Sequence, residues 1–571
     1  MYKQINDMYM LRERFVIIGV TGRTGSGCTT AAKFLSNDKC YLESSSFSDL
    51  PQKDQQELNI IKSFLGKHWN KFYHIQFRDI ISTFILESKY AEAKEYLKGK
   101  FSIDFDDFEE IYNEFYEKNK IIDDLAKGNI EGFYTANKCI DESKVEKLIK
   151  YIFSELPQFT NKLRDFLNRN KSQYTYIFQN VGDNIRKTGC AFKSDTDLFE
   201  NIYSICRRIN SFIKIIRRYN HYKAHDAKSY FVLDAFRNPL EVLFFRERFA
   251  AFYLISINCK EKNRRERLFN SQLDIAEIEN IDRKEAGGGN FFDTYESYIG
   301  QDIKQCVLMS DVFIDNTEDK QGLGIPRMLS YNLSRIIALI QHPGLVKPSR
   351  YEFLMQIAYT ASTNSGCLSR NVGAIVTDSK AEPLGIGWNC VPKGHTPCYL
   401  RSADKLDVEN TSKVYSQYER TNGEFKDILH KMQEEIFLSE AFQQSGLPQL
   451  YCFKKIKNTL DGDKNQVHTR ALHAEENAFL QIAKHSNRSM EGGILFTSSS
   501  PCVLCAKKAY QLGIKEIVYI DPYPDISQEH ILSSGTAPIP MIFYTGVIGS
   551  AFFKLYIPFI SIKDEIYAYR Q

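Results

Sequence analysis

Four residues in the last third of this 571-residue sequence offer its most specific chemistry: His473, Glu475, Cys502 and Cys505, in the pattern H-x-E followed by P-C-x-x-C. An imidazole and two thiolates are donors that Zn²⁺ favours, and a site with three protein ligands keeps a fourth position for water. A structural zinc site closes with four protein ligands, and no fourth stands close by in the sequence. Zinc lowers the pKa of such a water toward neutrality. Glu475 is then the candidate proton carrier between that water and a reacting ring. The expected metal ligands are His473, Cys502 and Cys505, and the expected catalytic residue is Glu475.

Helices must position these groups. Ala471 to Ala483 (ALHAEENAFLQIA) is rich in helix formers. His473 and Glu475 are two apart and converge only if that helix begins about there. Pro501 suits a first helical turn, which would set Cys502 and Cys505 on one face of it and favour thiolates. Upstream, Gly373 to Asp378 (GAIVTD) and Leu384 to Asn389 (LGIGWN) read as strands, preceded by a helix from Tyr351 to Ser362, and Lys515 to Ile520 reads as a further strand. Helix, two strands, metal helix, strand, metal helix and strand make an α/β layer with both metal helices on one face. Between Cys398 and His468 a mainly charged and polar insertion interrupts this order, fitted to be a lid or an oligomer contact. Cys390, His395, Cys398 and Cys452 have no metal-site spacing, and the three cysteines read as free thiols.

A second chemical feature lies near the amino terminus. The apolar run Phe15 to Val20 leads into Gly22-Arg23-Thr24-Gly25-Ser26-Gly27-Cys28-Thr29-Thr30 and then a helix. A strand, a glycine-rich turn and a helix N-terminus cradle phosphate with backbone amides. The spacing is that of G-x-x-x-x-G-K-[ST], with Cys28 in place of the lysine that reaches the β and γ phosphates. Nucleotide binding at Gly22, Gly25, Ser26, Gly27 and Thr29 is expected, with phosphoryl transfer disfavoured. Tyr230 to Asp234 (YFVLD) is another buried strand, and an acidic residue at its end suits Mg²⁺ accompanying a nucleoside triphosphate, so Asp234 joins the set, with Arg237 facing phosphate.

Strands are also expected at Phe72 to Arg78, Phe252 to Ile257 and Asp311 to Asn316, and the alternation with helices predicts a doubly wound parallel sheet. From about 85 to 225 the chain reads as a mainly helical insertion. In it, Arg207, Arg208, Lys214, Arg217 and Arg218 are taken as a solvated face. QHPGLVKP, from Gln341, is the interdomain connector, so residues 1–340 and 341–571 are the expected domains.

A net charge of +3 supplies no global field for long nucleic acid. Thirteen scattered cysteines without a framework fit a reducing cytoplasm, no signal peptide is visible, and the longest uncharged run, Ile531 to Phe553, holds prolines and glycines unsuited to a membrane span.

From Pro348 to Tyr567 the sequence resembles the deoxycytidylate deaminases, through S-R-N-V-G-A-I-V, G-W-N-C-V-P-x-G, H-A-E-E-N and P-C-x-x-C. The H-x-E and P-C-x-x-C elements are the signature of zinc-dependent base deaminases. The complete arrangement looks like the bacterial anti-phage dCTP deaminases, in which a P-loop, nucleotide-kinase-like region precedes a deaminase domain. The likeness rests on Gly22 to Thr30, Asp234 to Glu241, Gln466 to Phe479 and Asp521-Pro522-Tyr523-Pro524, with Arg264, Arg265 and Arg267 similar to the lid arginines of nucleotide kinases. The resemblance implies conversion of dCTP and dCMP to deoxyuridine nucleotides, depletion of the pool that phage replication needs, regulation by the amino-terminal region, a homo-oligomer, and in some members restraint by a small RNA. It also places Asn389 of the G-x-N turn against the substrate sugar.

Overall fold

The computed structural model describes residues 2–42, 47–135, 139–169, 173–194, 201–271, 273–285, 298–317, 325–408, 413–463, 466–485, 487–522 and 526–570. The chain divides into two compact units, residues 1–347 with 550–571, and residues 348–549. The connector at 341–348 therefore ends the first stretch of the first unit at Lys347. Residues 550–571, expected in the second domain, belong to the first.

The first unit is built on β1 (Phe15–Thr21), α1 (Cys28–Leu35), β2 (Tyr73–Gln76), α2 (Phe77–Ile85), α3 (Tyr174–Thr188), α4 (Ser204–Lys223), β3 (Ser229–Phe236), β4 (Phe252–Asn258), α5 (Glu261–Phe269), α6 (Ile275–Glu285) and β5 (Val312–Asp315). The strands run parallel in the order β5-β4-β1-β3-β2. β1 is buried along its whole length, as a central parallel strand must be. From β1 the chain moves outward to β2, whereas from β3 it crosses back past β1 to β4. With right-handed crossovers the two connections lie on opposite faces, and a crevice opens beyond the carboxyl ends of β1 and β3. The helical stretch between β2 and β3 is packed through aromatic and aliphatic residues continuous with the sheet core.

One expectation fails there. Arg208 is buried, not solvated: its guanidinium lies 3.4 Å from the Phe84 ring centroid, bonds the Thr83 hydroxyl at 2.7 Å and pairs with Glu87 at 2.7 Å. A charge can enter this interior because it is paired, hydrogen-bonded and laid on an aromatic face. Side chains tie the returning segment into this unit: Glu565 accepts from Tyr9 at 3.1 Å and meets His342 Nε2 at 2.8 Å.

The second unit contains α7 (Arg350–Ser362), β6 (Gly373–Thr377), β7 (Pro383–Trp388), α8 (Phe453–Asp461), α9 (Ala474–His485), β8 (Ile494–Ser499), α10 (Val503–Gln511), β9 (Glu516–Asp521) and β10 (Met541–Phe543). The sheet order is β10-β9-β8-β6-β7, with β6 antiparallel to both β7 and β8 and the rest parallel. Ala374, Val376, Leu495 and Ile517 share a cluster with Ala474, Ala478, Ala506 and Ala509, so α9 and α10 cover one face together. α7 covers the other, where the Tyr351 and Phe496 rings meet edge to face at 5.1 Å. Two glycines of β7 set the approach of α9: a Cβ at Gly387 would lie 2.1 Å from the Ala474 carbonyl, and one at Gly385 2.8 Å from that of Ala478.

The insertion of the second unit has a core of its own, with Tyr415, Phe425, Leu429 and Tyr451 around the fully buried pair Arg401–Glu419. Its apparent polarity in sequence hides this, since two of its charges neutralise each other inside. α11 (Ile562–Ala568) closes the chain within the first unit. Among the described residues no helix is long and apolar enough to cross a membrane.

Candidate functional site

α9 begins at Ala474, which leaves His473 just before the helix and Glu475 in its first turn. This start lets the two side chains converge as the two-residue spacing requires. It is fixed from both sides: the Leu472 amide bonds the Cys390 carbonyl at 2.9 Å, and the Asn477 side chain donates to the Trp388 carbonyl at 2.9 Å. Cys390 thus contributes backbone to the site, not a thiol ligand.

Cys502 differs from expectation by one step. α10 starts at Val503, and Cys502 is its N-cap, with φ −70° and ψ 169°. The third residue of the helix is Cys505, so the two sulfurs stand together at the opening turn of α10. His473 Nδ1 lies 3.3 Å from the Cys502 sulfur and 3.4 Å from that of Cys505. The three donor atoms all fall within 4.8 Å of one another, and among the described residues no other such group is found. Zinc–sulfur and zinc–nitrogen bonds of their usual lengths at a tetrahedral angle separate the donors by about 3.5 Å, so this set fits zinc.

Electrostatics agree with a donor set. The Cys505 thiol and amide, with His473, pull the Cys502 thiol down to about 4 against the effect of burial, and Cys505 is correspondingly pushed up. His473 is raised, chiefly by the Cys502 sulfur. Glu475 is 4% exposed, and burial pushes its carboxyl up to about 7. An acidic group held near neutrality is poised to take and give a proton.

His473, Glu475 and Cys502 line a cleft of about 690 Å³, counting its open mouth, whose walls include Arg370, Val372, Asn389, Ser500, Lys454, Gln466 and Thr469. Asn389 reaches the cleft, yet its side chain also braces the loop before β6. Its Oδ1 accepts from the Val372 amide at 2.8 Å and its Nδ2 donates to the Arg370 carbonyl at 2.7 Å. Arg370 pairs with Asp521 at 3.2 Å. Of the Asp521-to-Pro524 motif, Tyr523 and Pro524 lie outside the described residues. Lys454, on α8 of the insertion, donates to Gln466 at 2.9 Å. Sequence reasoning missed Lys454, and FKKIKNTL holds no signal that separates a cleft lysine from a solvated one.

In the first unit, Gly22, Gly25 and Gly27 all adopt positive φ (149°, 89° and 108°), which a side chain would resist. With Ser26 they form the turn between β1 and α1, and Thr29 stands in the first turn of α1. Asn316 pins it by donating to the Ser26 carbonyl at 2.7 Å, and Arg264 and Arg267 donate to the Thr24 and Ser26 carbonyls at 3.0 and 3.4 Å. The loop residues and Asp234 line one cavity at the crevice beyond β1 and β3. Asp234 also meets His74 Nε2 at 3.2 Å. Cys28 is buried, and its thiol is pushed up to about 12 by burial with Asp234 adding to it, so no charge replaces the lysine. Arg237 does not stand free for phosphate: it pairs with Glu285.

Residues 348–521 match the cytidine and deoxycytidylate deaminase zinc-binding region. This part of the chain is similar to the deoxycytidylate deaminases. It is 26% identical over 180 residues to deoxycytidylate deaminase of Saccharomyces cerevisiae, covering 31% of this chain and 40% of that protein. It is 28% identical over 176 residues to deoxycytidylate deaminase of Enterobacteria phage T4, covering 30% and 77%. The chain thus spans about 40% of the length of its Saccharomyces and Schizosaccharomyces pombe relatives. Among solved structures, dCMP deaminase from cyanophage S-TIM5 in complex with dCMP and dUMP is 25% identical, covering 34% of this chain and 99% of that one, with a TM-score of 0.21.

Proposed function

We propose that the second unit is a zinc-dependent deaminase that converts dCTP and dCMP to dUTP and dUMP with release of ammonia. The observation that carries this reading is the grouping of the His473, Cys502 and Cys505 donor atoms, with Glu475 lining one cleft beside His473 and Cys502. Zinc held by the three donors supplies Lewis acidity that eases deprotonation of water. Glu475 takes the water proton and delivers protons to N3 and to the departing amine. A C4–oxygen bond forms and the C4–nitrogen bond breaks. Val372 and Ala471 give the ring an apolar wall, and Arg370 and Lys454 suit a 5′-phosphate. Two cations at the cleft and a near-neutral whole favour free nucleotides over nucleic-acid strands, which need an extended basic track.

The first unit, in the same proposal, is regulatory. Its glycine loop binds a nucleoside triphosphate with Mg²⁺ near Thr29 and Asp234, and with a neutral Cys28 it does not transfer phosphate. The defence role, draining deoxycytidine nucleotides during infection, is supported by the resemblance of the whole arrangement.

The test is incubation of the purified full chain with dCTP, dCMP, CTP, CMP, single-stranded DNA and tRNA, with and without ATP or GTP, following products chromatographically. Deoxyuridine nucleotides are expected from the first two. Deaminated DNA or tRNA with inert free nucleotides would overturn the reading. Glu475→Ala is expected to keep zinc and lose at least about 10²-fold in rate.

A further inference from the structure

α4, the longest helix of the stretch between β2 and β3, opens without an acid to balance it. Tyr203, in the cap position, gives its first turn no side-chain acceptor, and no acidic residue stands in that turn. Amides of a first turn have no acceptor within their own helix, and the positive end of the dipole of 20 aligned residues lies there too. Ser204, Arg207, Arg208 and Ser211 follow the spacing i, i+3, i+4 and i+7, so they share one face from the first residue onward.

That face lines a cavity of about 1520 Å³, counting its mouth. Residues 116–128 add Lys120 and Lys127 to its walls, and Asn201 brings an amide. Four cations therefore line the cavity against two carboxylates, Glu87 and Asp123. A third carboxylate, Glu117, meets Lys120 at 2.6 Å, so positive charge still exceeds negative. Arg208 is the most deeply set of the four: it is 6% exposed, and its Nε has no hydrogen-bond partner among the described residues. Lys127 and Arg207 are exposed. The two aromatic rings of the wall are already covered. Arg208 lies 3.4 Å from the Phe84 centroid, and the Lys120 ammonium 5.5 Å from that of Tyr116.

A helix start without a cap, a buried guanidinium and an excess of cations around one hollow suit an anion of several charges, held at several oxygens at once. Rings that carry cations offer no bare face on which a base could stack. We propose that this cavity binds a condensed phosphate, free or as the tail of a nucleoside triphosphate, through its phosphate oxygens at the first turn of α4, Arg207, Arg208 and Lys127. The site shares no lining residue with the zinc-donor cleft or with the cavity around the glycine loop, and it is independent of the readings given to both.

Hydrogen exchange of the full chain, read by mass spectrometry during titration with sodium tripolyphosphate and separately with ATP, tests it. The readout is local, so phosphate bound at the glycine loop or in the zinc cleft does not register at α4. Tripolyphosphate is expected to protect residues 204–211 and 116–128, with a midpoint that rises with salt. Lys127→Gln and Arg207→Gln together are expected to raise that midpoint about tenfold or more. Ser204→Asp puts a carboxylate at the start of α4, which a helix accepts readily, and should raise it likewise by repulsion. Circular dichroism melts that match the parent exclude unfolding as the cause. Equal protection by ATP extends the ligand to a nucleotide's tail, and protection by tripolyphosphate alone confines it to free condensed phosphate. Protection by ATP with none by tripolyphosphate, no protection of residues 204–211 by either, or a midpoint unmoved in both variants overturns the proposal.

Discussion

The two candidate sites are assembled on opposite plans. In the second unit, side chains do the work: His473 and Cys505 are 32 positions apart and the donors come from two neighbouring helix starts. In the first unit, backbone makes the cradle, and the carboxylate resting on it, that of Glu285, comes from 261 positions downstream of Thr24. One site consists of residue types that have few other uses in combination. The other consists of glycine conformations, whose meaning depends on what the remainder of the fold brings near. The difference predicts different sensitivities.

The largest effect separates the cysteines. Cys505→Ala is expected to take zinc from about one per chain to near none, with loss of deamination, because three ligands are the minimum for such a site. Cys28→Ala should leave zinc and rate alone. Metal analysis by mass spectrometry reads both. Next comes the close approach of helix to strand. Gly387→Val puts a side chain where the Ala474 carbonyl already stands 2.1 Å from a Cβ, so α9 must move. A loss of about 3 kcal/mol or more in stability, with collapse of activity, is expected in thermal melts and assays.

A smaller effect sharpens the contrast from the other side. Cys28→Lys restores a cation to the glycine loop and should tighten ATP about tenfold by titration, while dCMP turnover without ATP stays unchanged. The least is a matter of pH. Burial raises the Asp79 carboxyl from 3.8 to about 6. Between those values the folded protein keeps a proton that the unfolded chain has released, so this group's contribution to stability falls as pH rises through the window. Asp79→Asn removes that fall, and its melting temperature should gain on the parent's above pH 6, by about 1–3 kcal/mol in stability. An equal pH slope in parent and variant would exclude Asp79 as the source.

How much of this was readable beforehand follows the same division. The grouping of the His473, Cys502 and Cys505 side chains and the helix start at Ala474 followed from spacing and propensity, because each is local. The parallel strands followed from apolar runs bounded by turns, since a strand buried on both faces has little choice of composition. The position of Cys502 was misplaced by one residue, because proline fits before a helix as well as at its first position. Arg208 was read as solvated because periodicity marks only the apolar stripe, and its partners Glu87 and Phe84 lie more than a hundred positions away. Glu285 and Lys454 gave no signal at all. A glutamate at a helix end and a lysine in a basic helix are ordinary, and only tertiary placement makes them neighbours of an anion cradle and a cleft.

The return of residues 550–571 to the first unit bears on the order in which the molecule can be completed. Glu565, the hydrogen-bond acceptor of Tyr9, is 556 positions from it, so this contact of the first unit can form only after the whole of residues 348–549 has been made. The second unit, whose residues lie wholly between those two positions, can close before the first is complete. Truncation before Glu565 would therefore deprive Tyr9 of its acceptor while leaving the whole of residues 348–549 in the chain.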